Sequence, residues 1–143
     1  MINFDYTIDF ELDEELYSSW IEEGVDLYGF EISELNYHFV SDKDLLKINQ
    51  EYLDHDTYTD IISFDYTLGR LISGDIFISV DRVKDNAKHL GIMFHVELLR
   101  VMCHGVLHYM GYQDKSDNEK AEMRSQEDIF IKLFNKVPRG TEL

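Results

Sequence analysis

Gly74-Asp75-Ile76-Phe77-Ile78-Ser79 is the stretch whose reading decides the fold. It is a short run, apolar enough to lie at the centre of a sheet. Directly after it, Val80 to Leu90 changes to helical spacing and stops at Gly91. A strand that feeds straight into a helix points to an α/β chain. Working back towards the N-terminus, Leu68-Gly69-Arg70 reads as a turn and Ile61-Ile62-Ser63-Phe64 as a short strand. Asp54 to Asp60 is a polar loop. Ser41 caps a helix that runs through Tyr52 and buries Leu45, Leu46 and Ile48. Glu34 to Val40 is a strand with Leu35, Tyr37 and Phe39 on one face. Asp13 caps a helix that reaches Leu27, with Leu16, Trp20, Val25 and Leu27 on its core side. Ile2 to Phe10 alternates as a first strand. Towards the C-terminus, Phe94 to Met110 is a helix stopped by Gly111. Ser116 starts a last helix through Phe134, burying Met123, Ile129, Ile131, Leu133 and Phe134. The order β-α-β-α-β-β-α-α-α predicts an α/β (α+β) domain, a small mixed sheet of about four strands packed with about five helices. Residues 1–136 form one domain, and Val137 to Leu143 reads as a frayed tail.

The bulk properties agree with a single folded unit. The chain has 143 residues, 44% of them hydrophobic and 13% aromatic, which is globular rather than disordered. Cys103 is the only cysteine, so no intrachain disulfide can form. No apolar run is long enough to cross a bilayer, and the first residues lack the pattern of a signal peptide. A cytoplasmic protein with no membrane role is expected. The net charge of −16 repels nucleic acid and anionic membranes as a whole-molecule field. An RNA partner therefore needs local basic residues or a docking protein.

The chemistry concentrates in His104-Gly105-Val106-Leu107-His108-Tyr109-Met110-Gly111-Tyr112-Gln113-Asp114. Two histidines four apart on a helix share one face, their Cβ atoms roughly 6 Å apart. Two imidazole nitrogens can then meet one ion at about 2.0–2.1 Å. Gly111 can adopt a left-handed conformation and reverse the chain, which returns Asp114 towards the histidines. Three protein ligands leave a fourth position open on a tetrahedral ion, the mark of a catalytic, zincin-like site. Zinc fits this set best, and nickel, iron or manganese suit nitrogen and oxygen donors too. Position 105 is glycine, so the glutamate that zinc proteases use as general base is absent. The glycine is expected to leave space beside the metal for a bulky substrate. Cys103, adjacent to His104, reads as a buried structural thiol.

These residues resemble a known family. His104-Gly105-Val106-Leu107-His108 with Gly111-Tyr112 looks like the signature of the YbeY family, bacterial rRNA maturation factors described as metal-dependent endoribonucleases. Asn49-Gln50-Glu51-Tyr52, Thr59-Asp60-Ile61-Ile62-Ser63-Phe64 and Gly74-Asp75-Ile76-Phe77-Ile78-Ser79 resemble its other blocks, in order. The resemblance implies a single α/β domain with a zinc site near the mouth of a cleft. Three positions depart from the family pattern. Asp114 stands where a third histidine is usual, Leu53 where an arginine is usual, and Tyr58 where proline is usual. Arginine at 53 would suit phosphate recognition. Arg100, one turn before His104, is a candidate catalytic replacement, set against a plain ion pair with Glu97. Arg70 is a weaker candidate. Asp60 and Ser63 match a family block but suit local loop bonding as well. His38, His55, His89 and His95 have no ligand spacing, and His55 reads as exposed.

The resemblance implies a single-strand-specific, metal-dependent endoribonuclease of rRNA maturation, acting at the 3′ end of 16S rRNA and in ribosome quality control. Its implied partners are single-stranded rRNA and the ribosomal subunit or its proteins. The catalytic and metal-ligating set is His104, His108 and Asp114, with Arg100 as a further catalytic candidate. Two rivals stand beside it. One is a metalloprotease-like hydrolase, against which the missing glutamate counts. The other is a non-catalytic assembly factor braced by its metal, which the acidic surface favours through docking on a basic ribosomal protein.

Overall fold

The computed structural model describes residues 1–55 and 57–137. The elements follow the order β1 (Ile2–Tyr6), α1 (Glu14–Leu27), β2 (Glu31–Val40), α2 (Asp42–Leu53), β3 (Ile61–Asp65), β4 (Leu71–Ser79), α3 (Val80–Leu90), α4 (Phe94–Tyr109) and α5 (Asp117–Phe134). The strands form one sheet in the order β1-β2-β4-β3. The β1–β2 and β2–β4 pairs are parallel, and β3 runs antiparallel along the outer edge of β4. β4 is therefore internal, as its composition predicts. It begins at Leu71 rather than Gly74, because Leu68 already bridges to Leu71 across the turn and pairing starts there.

Alternation along the strands feeds both faces of the sheet. Leu35, Tyr37 and Phe39 of β2 and Ile72, Ile76 and Ile78 of β4 point to the larger core. They meet Trp20 and Ile21 of α1, Leu98, Met102 and Val106 of α4, and Phe130 of α5. On the other face, Val40, Leu45 and Ile62 pack with Ile48, Phe64 and Phe77 beneath α2. β4 buries Ile72, Ile76 and Ile78 fully on one face, while Phe77 on the other is partly covered.

The helix starts are chemically defined. Asp13, Ser41 and Ser79 accept from the backbone N–H groups of Leu16, Asp44 and Arg82. Ser116 and Glu119 form a reciprocal capping box at the start of α5. Several expected core positions differ. Leu27 is exposed, and Tyr17 and Ile21 bury in α1 alongside Trp20 and Val25. Ile129 is exposed, whereas Phe130 is fully buried and its carbonyl accepts from Trp20 Nε1 at 2.7 Å. Asn49 is buried in α2, while Leu46 and Ile48 are only half covered. The first strand ends at Tyr6, and Ile8, Phe10 and Leu12 continue as a loop packed on the core. Val137, expected in a frayed tail, is buried against the core. The remainder of that tail, 138–143, and Asp56 of the polar loop lie outside the described residues. Among the described residues no single helix is long and apolar enough to cross a membrane.

Two contacts seat α4 against β3 and β4. A Cβ on Gly105 would come 2.9 Å from Ile76 Cδ1 and 3.3 Å from Ile61 Cδ1. The missing side chain is thus filled by these isoleucines, which lets the helix approach the sheet. The space expected at Gly105 is closed on the sheet side, although Gly105 also lines the hollow beside the histidines. One residue beyond His108, the Tyr109 hydroxyl donates to the Phe64 carbonyl at 2.9 Å and lies 3.2 Å from the Asp75 carbonyl.

Candidate metal centre

α4 carries His104 and His108 on one face, one turn apart. The helix closes at Met110, and Gly111 follows with φ of 102°, a conformation that side chains disfavour. The chain turns there and brings Asp114 back before Ser116 caps α5. Nε2 of His104 and Nε2 of His108 lie 3.0 Å apart. Asp114 Oδ2 is 3.2 Å from each of them. A tetrahedral ion with bonds of about 2.0–2.1 Å sets its donors roughly 3.3 Å apart, so this triangle fits one face of such a site. Among the described residues, these three form the one group of His, Cys and carboxylate side chains close enough to hold an ion.

The triangle opens into a pocket of about 340 Å³ lined by Thr59, Asp60, Ile61, Ser63 and Gly105 beside the three donors. Side-chain exposure of 23% for His104, 28% for His108 and 38% for Asp114 leaves one side of the triangle accessible. A second groove of about 380 Å³ shares Thr59, Ile61 and Ser63 and extends to Asn49, Leu53 and His55. No lysine or arginine lines either hollow among the described residues. A larger hollow, about 650 Å³, lies on the α2 face instead. Its His38 is held by Asp75 at 2.9 Å and Asp5 at 3.4 Å.

Behind the triangle, His104 Nδ1 donates to Glu127 Oε2 at 2.6 Å. Glu127 is only 6% exposed, and its Oε1 accepts from Arg100 at 2.9 Å. Burial pulls the His104 imidazole down, but Glu127, Asp114 and Asp60 outweigh it and hold its pKa above the ordinary value. Burial raises the Asp60 carboxyl, against hydrogen bonds from the loop backbone and Asn86 and the attraction of His104. Asp60 therefore belongs to the pocket wall, and Ser63 lines the same hollow from an exposed position.

The arginine candidates are committed elsewhere. Arg100 bonds Glu127 and Asp128 rather than Glu97, so its guanidinium faces α5 and not the pocket. Arg70 bonds the Gly29 carbonyl and covers the Phe30 ring. Tyr58, at the usual proline position, lies under the guanidinium of Arg82. Cys103 is buried, as expected. Sequence reasoning missed Glu127. Its signal was a charge at the core-facing position between Met123 and Phe130.

The model of the endoribonuclease YbeY family matches residues 3–135. The chain belongs to the YbeY family. Curated family members from Flavobacterium johnsoniae and Flavobacterium psychrophilum are each 53% identical over 136 residues, which cover 94% of this chain and 98% and 97% of theirs. A relative from Christiangramia forsetii is 47% identical over 135 residues, 94% of each chain. The solution structure of TM1509 from Thermotoga maritima superposes with a TM-score of 0.69 at 25% identity, covering 94% of this chain and 89% of that one. YbeY membership goes with RNA cleavage as the reaction class and RNA as the substrate class. The donor set His104, His108 and Asp114 is compatible with a metal-dependent nuclease of this family.

Proposed function

We propose that this chain is a metal-dependent endoribonuclease that cuts single-stranded RNA in the cytoplasm, at the 3′ end of 16S rRNA, during ribosome maturation and quality control. The observation that carries the reading is the convergence of three donor atoms, 3.0–3.2 Å apart, on the open side of a pocket. His104, His108 and Asp114 would hold the ion, zinc by the chemistry of the set. Such an ion supplies Lewis-acid polarisation of a phosphate oxygen and acidifies water.

The protein's own residues do the rest. The two hollows that share Thr59, Ile61 and Ser63 form a trough in which one strand can lie. Asp60 lines the wall of the donor pocket. No side chain within the His104–Asp114 motif is an evident general base, and the nucleophile is water or the substrate 2′-hydroxyl. The net charge of −16 supports docking on a basic ribosomal protein as the route to rRNA.

End-labelled single-stranded and duplex RNA, incubated with purified protein with and without chelator, test the reading. Cleavage of the single strand alone, lost on chelation and in His108→Ala, is expected. Cyclic phosphate termini identify the 2′-hydroxyl as nucleophile. Intact RNA together with metal-dependent cleavage of casein would replace this reading with the hydrolase alternative. Normal ribosome assembly with a folded, metal-free His108→Ala chain would replace it with the non-catalytic one.

A further inference from the structure

Glu127 occupies an unusual place for a carboxylate. On α5 the residues Met123, Glu127, Phe130 and Phe134 are buried, at the spacing of a single helical stripe. A charge in that stripe is costly unless it is fully partnered. Both Glu127 oxygens have partners on α4: Oε2 accepts from His104 Nδ1 at 2.6 Å, and Oε1 accepts from Arg100 at 2.9 Å. Arg100 is itself anchored a second time, by Asp128 at 3.0 Å. The line Arg100–Glu127–His104 thus runs along the side of α4 that faces α5 and ends on an imidazole whose other nitrogen belongs to the donor triangle.

We propose that Glu127 is the positioning residue of the metal centre, fixing the His104 tautomer and ring plane so that Nε2 presents its lone pair to the ion, with Arg100 holding Glu127 in register. The inference rests on the metal reading above. A metal-bound imidazole commonly donates its second N–H to a carboxylate, which sets its orientation and strengthens it as a ligand. His104 donates to Glu127 with its remote nitrogen, while Nε2 is 3.0 Å from Nε2 of His108. Arg100, the catalytic candidate of the sequence, acts two bonds back from the ion and not on the substrate. Asp114 receives no such support from α5 in the described contacts, so the acidic support of the triangle is one-sided and falls on His104.

Zinc affinity, measured by competition with a chromogenic chelator, separates positioning from bracing. Glu127→Ala is expected to lose roughly 10–100-fold in affinity. Glu127→Gln, which keeps a neutral acceptor of the same shape, falls between that variant and wild type. Arg100→Met shows a smaller loss, because it acts through Glu127. In the cobalt-loaded protein, Glu127→Gln shifts the visible absorption bands. Thermal midpoints of the metal-free proteins are recorded alongside. A variant pair with lowered midpoints but wild-type zinc affinity would mean that Glu127 only braces α4 to α5, and the inference fails. If Glu127→Ala does not fold, Glu127→Gln decides, and wild-type affinity there overturns the inference. A wild-type chain that takes up no zinc removes the metal reading and this inference with it. Zinc uptake by wild type with equal uptake by the variants removes only the inference.

Discussion

The Tyr109 hydroxyl donates to the Phe64 carbonyl at 2.9 Å and so ties the end of the histidine helix to the edge strand that walls the pocket. Tyr109 is almost fully buried, and its hydroxyl is wedged over Gly74, where a Cβ would come 2.6 Å from it. Tyr109→Phe keeps the ring and removes the tie. The expected loss is about 1 kcal/mol in urea denaturation. Faster amide exchange in β3 than in wild type is the accompanying sign, and unchanged exchange would show that the tie does not hold the strand.

Asp114 supplies a negative charge where the family usually has a neutral imidazole. A carboxylate ligand offsets one charge of a dication and leaves the remaining water less acidic. Asp114→His is expected to retain metal and to move the pH–rate profile for RNA cleavage downward. A profile that stays in place would speak against Asp114 as a ligand.

Leu53 lines the groove that adjoins the donor pocket, and no lysine or arginine is among the described lining residues. Leu53→Arg puts a bidentate phosphate contact there. The expected result is a lower KM for a single-stranded oligonucleotide with kcat little changed. The salt dependence of binding should steepen by about 0.7 in log–log slope, one phosphate contact on a single strand. An unchanged slope would mean that the strand does not pass Leu53.

Gly105→Ala tests the close approach of α4 to the sheet. The added methyl meets Ile76 Cδ1 in a fully buried position. Overpacking of this kind costs about 1–3 kcal/mol, offset by about 1 kcal/mol of helix propensity gained over glycine. A net loss on the order of 1 kcal/mol is expected. Ile76→Val in the same chain should recover part of it, and additive behaviour of the two changes would argue against direct contact.

Glu97 is buried, and its Oε1 has no hydrogen-bond partner. Burial first, and then Asp60, hold its carboxyl above the ordinary range, against the attraction of Arg100 and Arg124. The folded chain therefore binds this proton at a higher pH than the unfolded chain does. Between those two values the folded state carries more protons, so stability falls as pH rises through the window. Glu97→Met removes that burden. Its thermal midpoint relative to wild type should be lowest near about pH 4 and rise towards about pH 7. A constant difference across that range would rule out titration of Glu97 as the cause.

Much of the architecture was legible because local signals and periodicity agree. Asp13, Ser41 and Ser116 announce helix starts, and each accepts a backbone hydrogen bond at its cap. The histidine spacing, Gly111 and Asp114 are local features close in sequence, so the donor triangle follows from one helical turn and the bend after it. What escaped was set by packing across the chain. Ile129 is apolar but faces out, because the α5 stripe runs through Met123, Glu127, Phe130 and Phe134. Glu127 looks like surface charge until Arg100 and His104 arrive from α4. The close fit of Ile61 and Ile76 against Gly105 is likewise invisible until α4 meets the sheet.

All three donor atoms come from residues 104 to 114, one helical turn and the bend after it. Bringing them together closes only a short loop, which costs little chain entropy. An ion can therefore be captured early, while the sheet is still assembling, and its arrival would staple the bend that launches α5.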